Sequence, residues 1–416
     1  MRVIVLGAGV VGVACAYYLA LDGHEVTVLD RNNAAASETS YGNAGLVSPG
    51  DSYAWASPAA LRMFVKSLYR RDLGIKVRPQ LDTRFLSWTM RFLLQCTHER
   101  ARINTLRKLR LALYSRECFD SLVTATGIDF GERRNGILYF YRSTESLASG
   151  AAHMQLLADH GLTIEIATSD RLIALDPGLR SARDRMAGGI FSPMDQTADS
   201  YRFSRSLAAW CAENRSVRFL YDTTVTAIEV AGDRIKGVVA DGGLLSADMF
   251  VLAAGAESPQ LTRPIGIDLA ICPVKGYSLT VPIRNEERAP QLGGVDEDRL
   301  VAYSRLGDRV RIAAKAEFAG YDRTYRTDDF RILFEAAADL FGDGLDLGKA
   351  EYWTGLRPMT PSSVPILGPA RYCNFHLNVG HGHVGWTMAC GSGKFTADLI
   401  AGRRPEIDPD GLLYAA

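Results

Sequence analysis

The sequence predicts an α/β protein in two interleaved parts: a Rossmann-like dinucleotide-binding domain and an α+β domain built on an antiparallel sheet. Three observations carry this. A strand, glycine loop, helix and second strand ending in an acid open the chain. A second glycine-rich loop leads into the last helix. Between them, regular βα alternation gives way to a helical stretch and then to alternating strands. At 416 residues the chain exceeds what one hydrophobic core usually organises. Apolar residues at 47% and charged residues at 23% are ordinary for a globular protein. The 47 Lys and Arg balance the 47 Asp and Glu, which argues against a nucleic-acid partner. Seven scattered cysteines, none in a C-x-x-C pair, read as reduced thiols in a cytoplasmic setting, with no metal site and no disulfide framework.

The first element is the apolar run Arg2 to Leu6, a buried parallel strand. Gly7-Ala8-Gly9-Val10-Val11-Gly12 follows, then an Ala- and Leu-rich helix to Leu21. The stretch from Val3 to Leu21 carries no charge and follows Arg2, so a signal peptide or membrane anchor is the competing reading. The glycine spacing and the strand from Glu25 to Leu29 favour strand, turn and helix. In such a turn Gly7 permits the tight bend, Gly9 lets the backbone approach a pyrophosphate, and Gly12 lets helix and strand pack closely. The helix N-terminus offers N–H groups and a positive dipole end to phosphates. Asp30 closes the second strand, where it accepts from a ribose hydroxyl or merely caps the strand. This fingerprint does not separate FAD from NAD.

Residues 57 to 125 read as helical, and between Asp51 and Glu117 fourteen Lys or Arg face five acids. That surplus is a solvated basic face or a docking surface for an anionic membrane or an electron-accepting partner. Strands are expected at Gly136 to Tyr141, Leu162 to Ile166, Val217 to Tyr221, Val225 to Val230, Ile235 to Val239 and Met249 to Ala253. Helices are expected at Ala148 to His160 and Tyr201 to Asn214. Residues 271 to 318 alternate as antiparallel strands do. The segments 1–50, 193–270 and 350–416 are assigned to the dinucleotide domain, and 51–192 and 271–349 to the substrate domain.

Near the end, the strand Phe375 to Val379 runs into Gly380-His381-Gly382-His383-Val384-Gly385-Trp386-Thr387 and a helix through Ile400. A second strand, glycine loop and helix N-terminus suits a long cofactor held at both ends. A flavin fits, because its reduced ring carries negative charge that a helix N-terminus stabilises.

The segments VLGAGVVGVACAYYLA, ETSYGNAGLVSPG, VLAAGAES, PVKGYSLT, WTGLRPMTPSSVPILGP and GHGHVGWTMACGSG together resemble the D-amino acid oxidase superfamily of flavoproteins, nearest the D-amino acid dehydrogenase small-subunit family, over nearly the whole chain. The resemblance implies a glutathione-reductase-type FAD domain and non-covalent FAD. It places Gly7, Ala8, Gly9, Val10, Val11, Gly12, Asp30 and Arg31 at the dinucleotide. Ser40, Asn43, Ala44, Gly45 and Leu46 lie near the flavin, and Val225 on the adenine side. Ala253, Ala254, Gly255, Gly382, His383, Val384, Gly385, Trp386 and Thr387 complete the cofactor set.

The implied reaction is oxidative deamination of a small D-amino acid, with electrons passed to a quinone or other acceptor, at a cytoplasmic or inner-membrane-peripheral location. Alternatives of the same fold are a D-proline or hydroxy-D-proline dehydrogenase and a glycine- or sarcosine-type oxidase using oxygen. Arg357 is the implied clamp for the substrate carboxylate, or else braces its Pro-rich loop. Tyr277 and Tyr303 are further catalytic candidates, with Lys275 and Arg305 behind them. His381 is a weaker candidate base. His383 replaces the small polar residue common in relatives, and either shapes the pocket or faces solvent.

Overall fold

A computed structural model describes residues 1–61, 74–78 and 82–415. The run Arg2–Leu6 is the centre of a six-stranded sheet ordered Ile366–Pro369, Phe375–Val379, Met249–Leu252, Arg2–Leu6, Glu25–Leu29 and Arg218–Leu220. All pairings are parallel except that of the edge strand Ile366–Pro369. Parallel strands need cover on both faces, which is why the central runs 3–6 and 250–252 are apolar and buried. One face is covered by the helices Val10–Leu21, Ser200–Arg215 and Gly385–Ile400, with His98–Thr126 packed on the last of these; their shared core includes Val13, Phe119, Phe203 and Trp386. The other is covered by a three-stranded sheet, Val225–Ala231, Arg234–Ala240 and Gly243–Leu245, through Ile228, Ile235 and Val238.

The second sheet has nine strands. Eight run in the order Glu351–Met359, Cys272–Pro282, Arg309–Phe318, Val301–Leu306, Gly293–Asp296, Ile137–Tyr141, Gly188–Ser192 and Glu165–Ala167, and the short strand Ile75–Val77 also pairs with Arg309–Phe318. It is mostly antiparallel, as expected, but Gly293–Asp296 meets Ile137–Tyr141 in parallel and so does Ile75–Val77 its partner. Helix Arg331–Phe341 covers one face through Leu333, Ala337 and Phe341.

Two expected boundaries shift. Glu351–Met359 pairs along its length with Cys272–Pro282, so the division at 350 cuts through the second sheet. Helix His98–Thr126 buries Leu111, Phe119 and Leu122 in the core of the dinucleotide domain, although it lies within the 51–192 segment assigned to the substrate domain. Both shifts have one cause: burial follows the partner surface available in three dimensions, which a contiguous segmentation of the chain does not represent. The basic stretch lies partly outside the described residues, including Arg62, Lys66, Arg70 and Arg71. Among the described residues no helix is long and apolar enough to cross a membrane.

Candidate functional site

Between the two sheets lies a cavity of about 930 Å³, at the upper end of the range for small-molecule and cofactor sites. Its nucleotide end is made of backbone. Gly7 sits at φ +109°, and a Cβ there would stand 2.6 Å from the Ala253 carbonyl oxygen. A Cβ on Gly12 would stand 1.9 Å from the Gly7 carbonyl oxygen, so only glycine lets the helix pack onto its own turn. Gly9 faces open space apart from Ser40 Oγ at 3.5 Å. The helix beginning at Val10 has no side-chain cap from its own N-cap residue, and the Val10 N–H donates instead to Ser40 Oγ at 3.1 Å. Its remaining first-turn donors suit an anionic group. Asp30 accepts from the Ala8 N–H at 2.7 Å and the Asn32 N–H at 2.9 Å, which fixes its carboxylate at the end of the strand.

On a second wall, Gly382–Val384 turns into the helix Gly385–Ile400, whose N-terminus also lacks a side-chain cap. Thr387 Oγ1 accepts from the Ser48 N–H at 3.0 Å, tying this helix to the loop after Leu46. Asp195 holds the same loop, accepting from Tyr139 Oη at 2.7 Å and the Gly50 N–H at 3.1 Å. Two helix N-termini opening on one cavity, neither capped by the side chain of its own N-cap residue, fit a cofactor with phosphates at one end and a ring that gains negative charge at the other. The residues present therefore fit FAD.

All the expected cofactor residues line this cavity except Ala8 and Gly12. Ala8 is fully buried, and Gly12 is taken up by the helix–turn contact. Arg357 lines the opposite end, lying across Gly276, where a Cβ would come 2.5 Å from its Nη1. Nη1 donates to the Lys315 carbonyl at 2.9 Å, leaving the rest of the planar fork for a carboxylate. Burial draws the guanidinium down to about 10, against the pull of Asp51, so it keeps its charge at neutral pH.

The other candidates near Arg357 are placed differently. Tyr277 contributes to the cavity wall, but its ring is 1% exposed and packs edge-on against Phe330, and its hydroxyl binds Glu317. Tyr303 does not reach the cavity: it is fully buried in the second core against Phe341. Lys275 is likewise buried, donating to the Thr324 carbonyl at 2.8 Å beside Glu317. Arg305 pairs with Glu286 at 2.7 Å, away from the cavity. Strand alternation turns Tyr303 into the core while its neighbour Ala302 lines the cavity. A bulge near Lys275 and Tyr277 shifts the register of their strand, which sequence spacing does not reveal.

His381 shares a hydrogen bond between Nε2 and Ser392 Oγ at 3.0 Å, and burial pushes it down to about 3. It is a neutral brace at the start of the last helix rather than a base. His383 does not face solvent: its side chain is 10% exposed, stacks on Trp55 at 4.9 Å and lines the cavity. Burial, with Lys108 and Arg357 adding, holds it well below the usual histidine range.

Residues that sequence reasoning missed are Asp51, Trp55, Glu297 and Lys315, all on the cavity wall. Asp51 follows a recognised loop directly and was within reach of a local argument. Glu297 stands in Val-Asp-Glu-Asp-Arg, which reads as a solvated acidic turn, and nothing local marks it.

Comparison with known proteins agrees with this geometry. The family model for FAD dependent oxidoreductases matches residues 2–399. D-amino acid dehydrogenase 2 of Mesorhizobium japonicum is 56% identical over 414 residues, covering 100% of both chains. D-amino acid dehydrogenase of Paramagnetospirillum magneticum is 44% identical, covering 99% of this chain and 98% of its own. Among solved structures, glycine oxidase from Bacillus cereus superposes with a TM-score of 0.75 at 22% identity, covering 100% of this chain and 99% of its own, a likeness of fold.

Proposed function

The chain belongs to the family of FAD-dependent oxidoreductases, and on that premise we propose that it deaminates D-amino acids oxidatively to 2-oxo acids and ammonia. Bound in this cavity, FAD supplies the acceptor for the hydride that leaves the substrate α-carbon. The observation that carries the reading is Arg357, a charged guanidinium on the wall of the same cavity into which both helix N-termini open. Arg357 grips the α-carboxylate with the edge of its fork that faces away from Lys315. This anchors one end of the substrate and sets the α-carbon's approach, so that orientation supplies most of the rate. The first N–H groups of the helix from Gly385 stabilise negative charge at the cavity's other wall.

The relatives at 44% and 56% identity are named dehydrogenases of D-amino acids, whereas the glycine oxidase is only 22% identical. That difference supports a quinone or protein acceptor over oxygen and disfavours the glycine-type alternative. The test is anaerobic mixing of the purified protein with D- and L-amino acids, proline analogues and glycine. Bleaching of the flavin band by D-amino acids is expected. A yellow protein bleached by none of them overturns the substrate claim and leaves the fold standing.

A second feature supports docking on an anionic membrane. Helix Thr83–Gln95 exposes Leu86, Met90, Leu93 and Leu94 on one side, with exposed Arg84 and Arg91 among them. Inward, Phe92 reaches the cavity wall. An apolar stripe with a basic border is the pattern of an interfacial helix. Co-sedimentation with anionic vesicles is expected and should drop about tenfold or more in the variant carrying Leu86→Ser, Met90→Ser and Leu94→Ser. Equal binding by both proteins excludes this face.

A further inference from the structure

Most acids with partly or fully buried side chains in this protein are paired. Glu38 meets Arg31 at 2.8 Å and Arg323 at 2.7 Å. Glu317 meets Arg78 at 2.6 Å and Lys275 at 3.6 Å, and Asp339 meets Arg142 at 2.7 Å and Arg299 at 2.9 Å. The two carboxylates on the substrate end of the cavity break this pattern. Glu297 lines the wall, and its side chain has neither hydrogen bond nor ion pair among the described residues; only its backbone N–H is engaged, with the Phe140 carbonyl at 3.1 Å. Asp51 also lines the wall; among the described residues its only ion pair is to His383 Nε2 at 4.0 Å, and the charges of Lys108 and Arg357 act on it from farther away.

His383 completes the set and fixes its polarity. Its Nε2 faces the Asp51 carbonyl oxygen at 3.3 Å, which can only accept, so Nε2 carries the proton. Nδ1 is then a bare acceptor, and it has no partner although the side chain is nine-tenths buried. Two carboxyl groups and a bare imidazole nitrogen thus stand together on the wall with no side-chain hydrogen bond from another described residue, while Lys108 and Arg357 act on Asp51 and His383 only through their charge. Of the three, only His383 Nδ1 is a buried atom without a partner, while the two carboxyls open on the cavity, where the donors of a ligand can reach them. Arg357 acts on Asp51 through its charge but makes no hydrogen bond to it, and the free edge of its fork is assigned to the substrate carboxylate. Burial and mutual repulsion hold Glu297 up to about 8, as expected of an acid whose counter-charge arrives with a ligand.

Resting on the proposed D-amino acid reading, we infer that Asp51, Glu297 and His383 form a side-chain subsite for a cationic group, so that this cavity selects basic D-amino acids. The α-carboxylate sits on Arg357 and the methylenes run past the apolar wall of Trp55, Phe92 and Leu300. The terminal ammonium or guanidinium donates to the two carboxylates and to Nδ1 of His383. The size restriction expected from the family resemblance does not apply to such a substrate.

The test is single-turnover flavin reduction of the FAD-loaded protein with D-arginine and D-lysine, set against D-norleucine of similar length and D-alanine. For the wild type, the ratio of reduction rate to dissociation constant should favour the basic substrates by about tenfold or more. Glu297→Gln and Asp51→Asn should each collapse that preference, and Glu297→Asp should restore part of it. A wild type that reduces faster with D-norleucine than with D-lysine overturns the subsite and needs no folded variant to do so. Variants that lower basic and neutral substrates equally also overturn it. If no D-amino acid bleaches the flavin, the proposed function itself has failed, a result distinct from bleaching by neutral substrates alone.

Discussion

The two ends of one cavity are built on opposite plans. At the nucleotide end the work is done by backbone: glycines without Cβ, N–H groups of an uncapped helix, and Asp30, itself held by backbone N–H groups. At the substrate end it is done by side chains from distant strands and loops, Asp51, Glu297, Arg357 and His383, whose charges are only partly answered within the protein. The first plan binds a group common to a whole family. The second adjusts what is bound by exchanging single residues, without disturbing the fold. The difference teaches that a fixed cofactor and a variable substrate are separated along the cavity by the kind of atom that meets them.

The comparison breaks first at Gly12. Gly12→Ala puts a methyl 1.9 Å from the Gly7 carbonyl oxygen, so the turn must open or the helix must move away. Loss of bound FAD and a destabilisation of about 3 kcal/mol are expected, read from the flavin absorbance ratio and thermal unfolding. A yellow, stable variant contradicts the backbone plan.

At the other end, Arg357→Lys replaces a planar fork by a point charge. kcat/KM for D-amino acids should fall about a hundredfold, with FAD content at the wild-type level. Loss of FAD along with activity would mean that the two ends are not separable.

The smallest effect is a pH dependence at Glu297. Burial lifts its carboxyl from the ordinary 4.5 to about 8, with Asp51, Asp296 and Asp298 adding to the shift. The folded state therefore favours the protonated form. Its contribution to stability is complete below about 4.5 and is lost as pH rises through about 8. Glu297→Gln cannot ionise and escapes this loss. Its melting temperature should match the wild type near pH 4.5 and exceed it by a few degrees above pH 8. A constant offset across that range would show that Glu297 is not buried as an unpaired acid.

Much of the nucleotide end was legible in the sequence, because each of its parts is local. Gly7 to Gly12 and the strand from Glu25 to Asp30 lie within one βαβ unit, and Gly382 to Thr387 lies within one turn. The substrate end was legible only where a motif happened to name it, at Arg357. Tyr277 and Tyr303 were placed on chemistry alone; Tyr303 is turned into the core, and Tyr277 contributes to the cavity wall with its ring packed on Phe330 and its hydroxyl held by Glu317.

By itself, then, the sequence determined the two glycine loops, the parallel sheet they serve, the cofactor and the family. These follow from residue order over short spans, where backbone sterics dictate the outcome. Tertiary structure alone decided that Glu351–Met359 joins the second sheet and that helix His98–Thr126 packs on helix Gly385–Ile400 in the core of the first domain. It also decided that His383 turns inward and that Asp51 and Glu297 share a wall with no direct ion pair from a Lys or Arg among the described residues. Those facts depend on which surfaces meet across hundreds of residues, and a buried charge shows whether it is answered only once its neighbours in space are known.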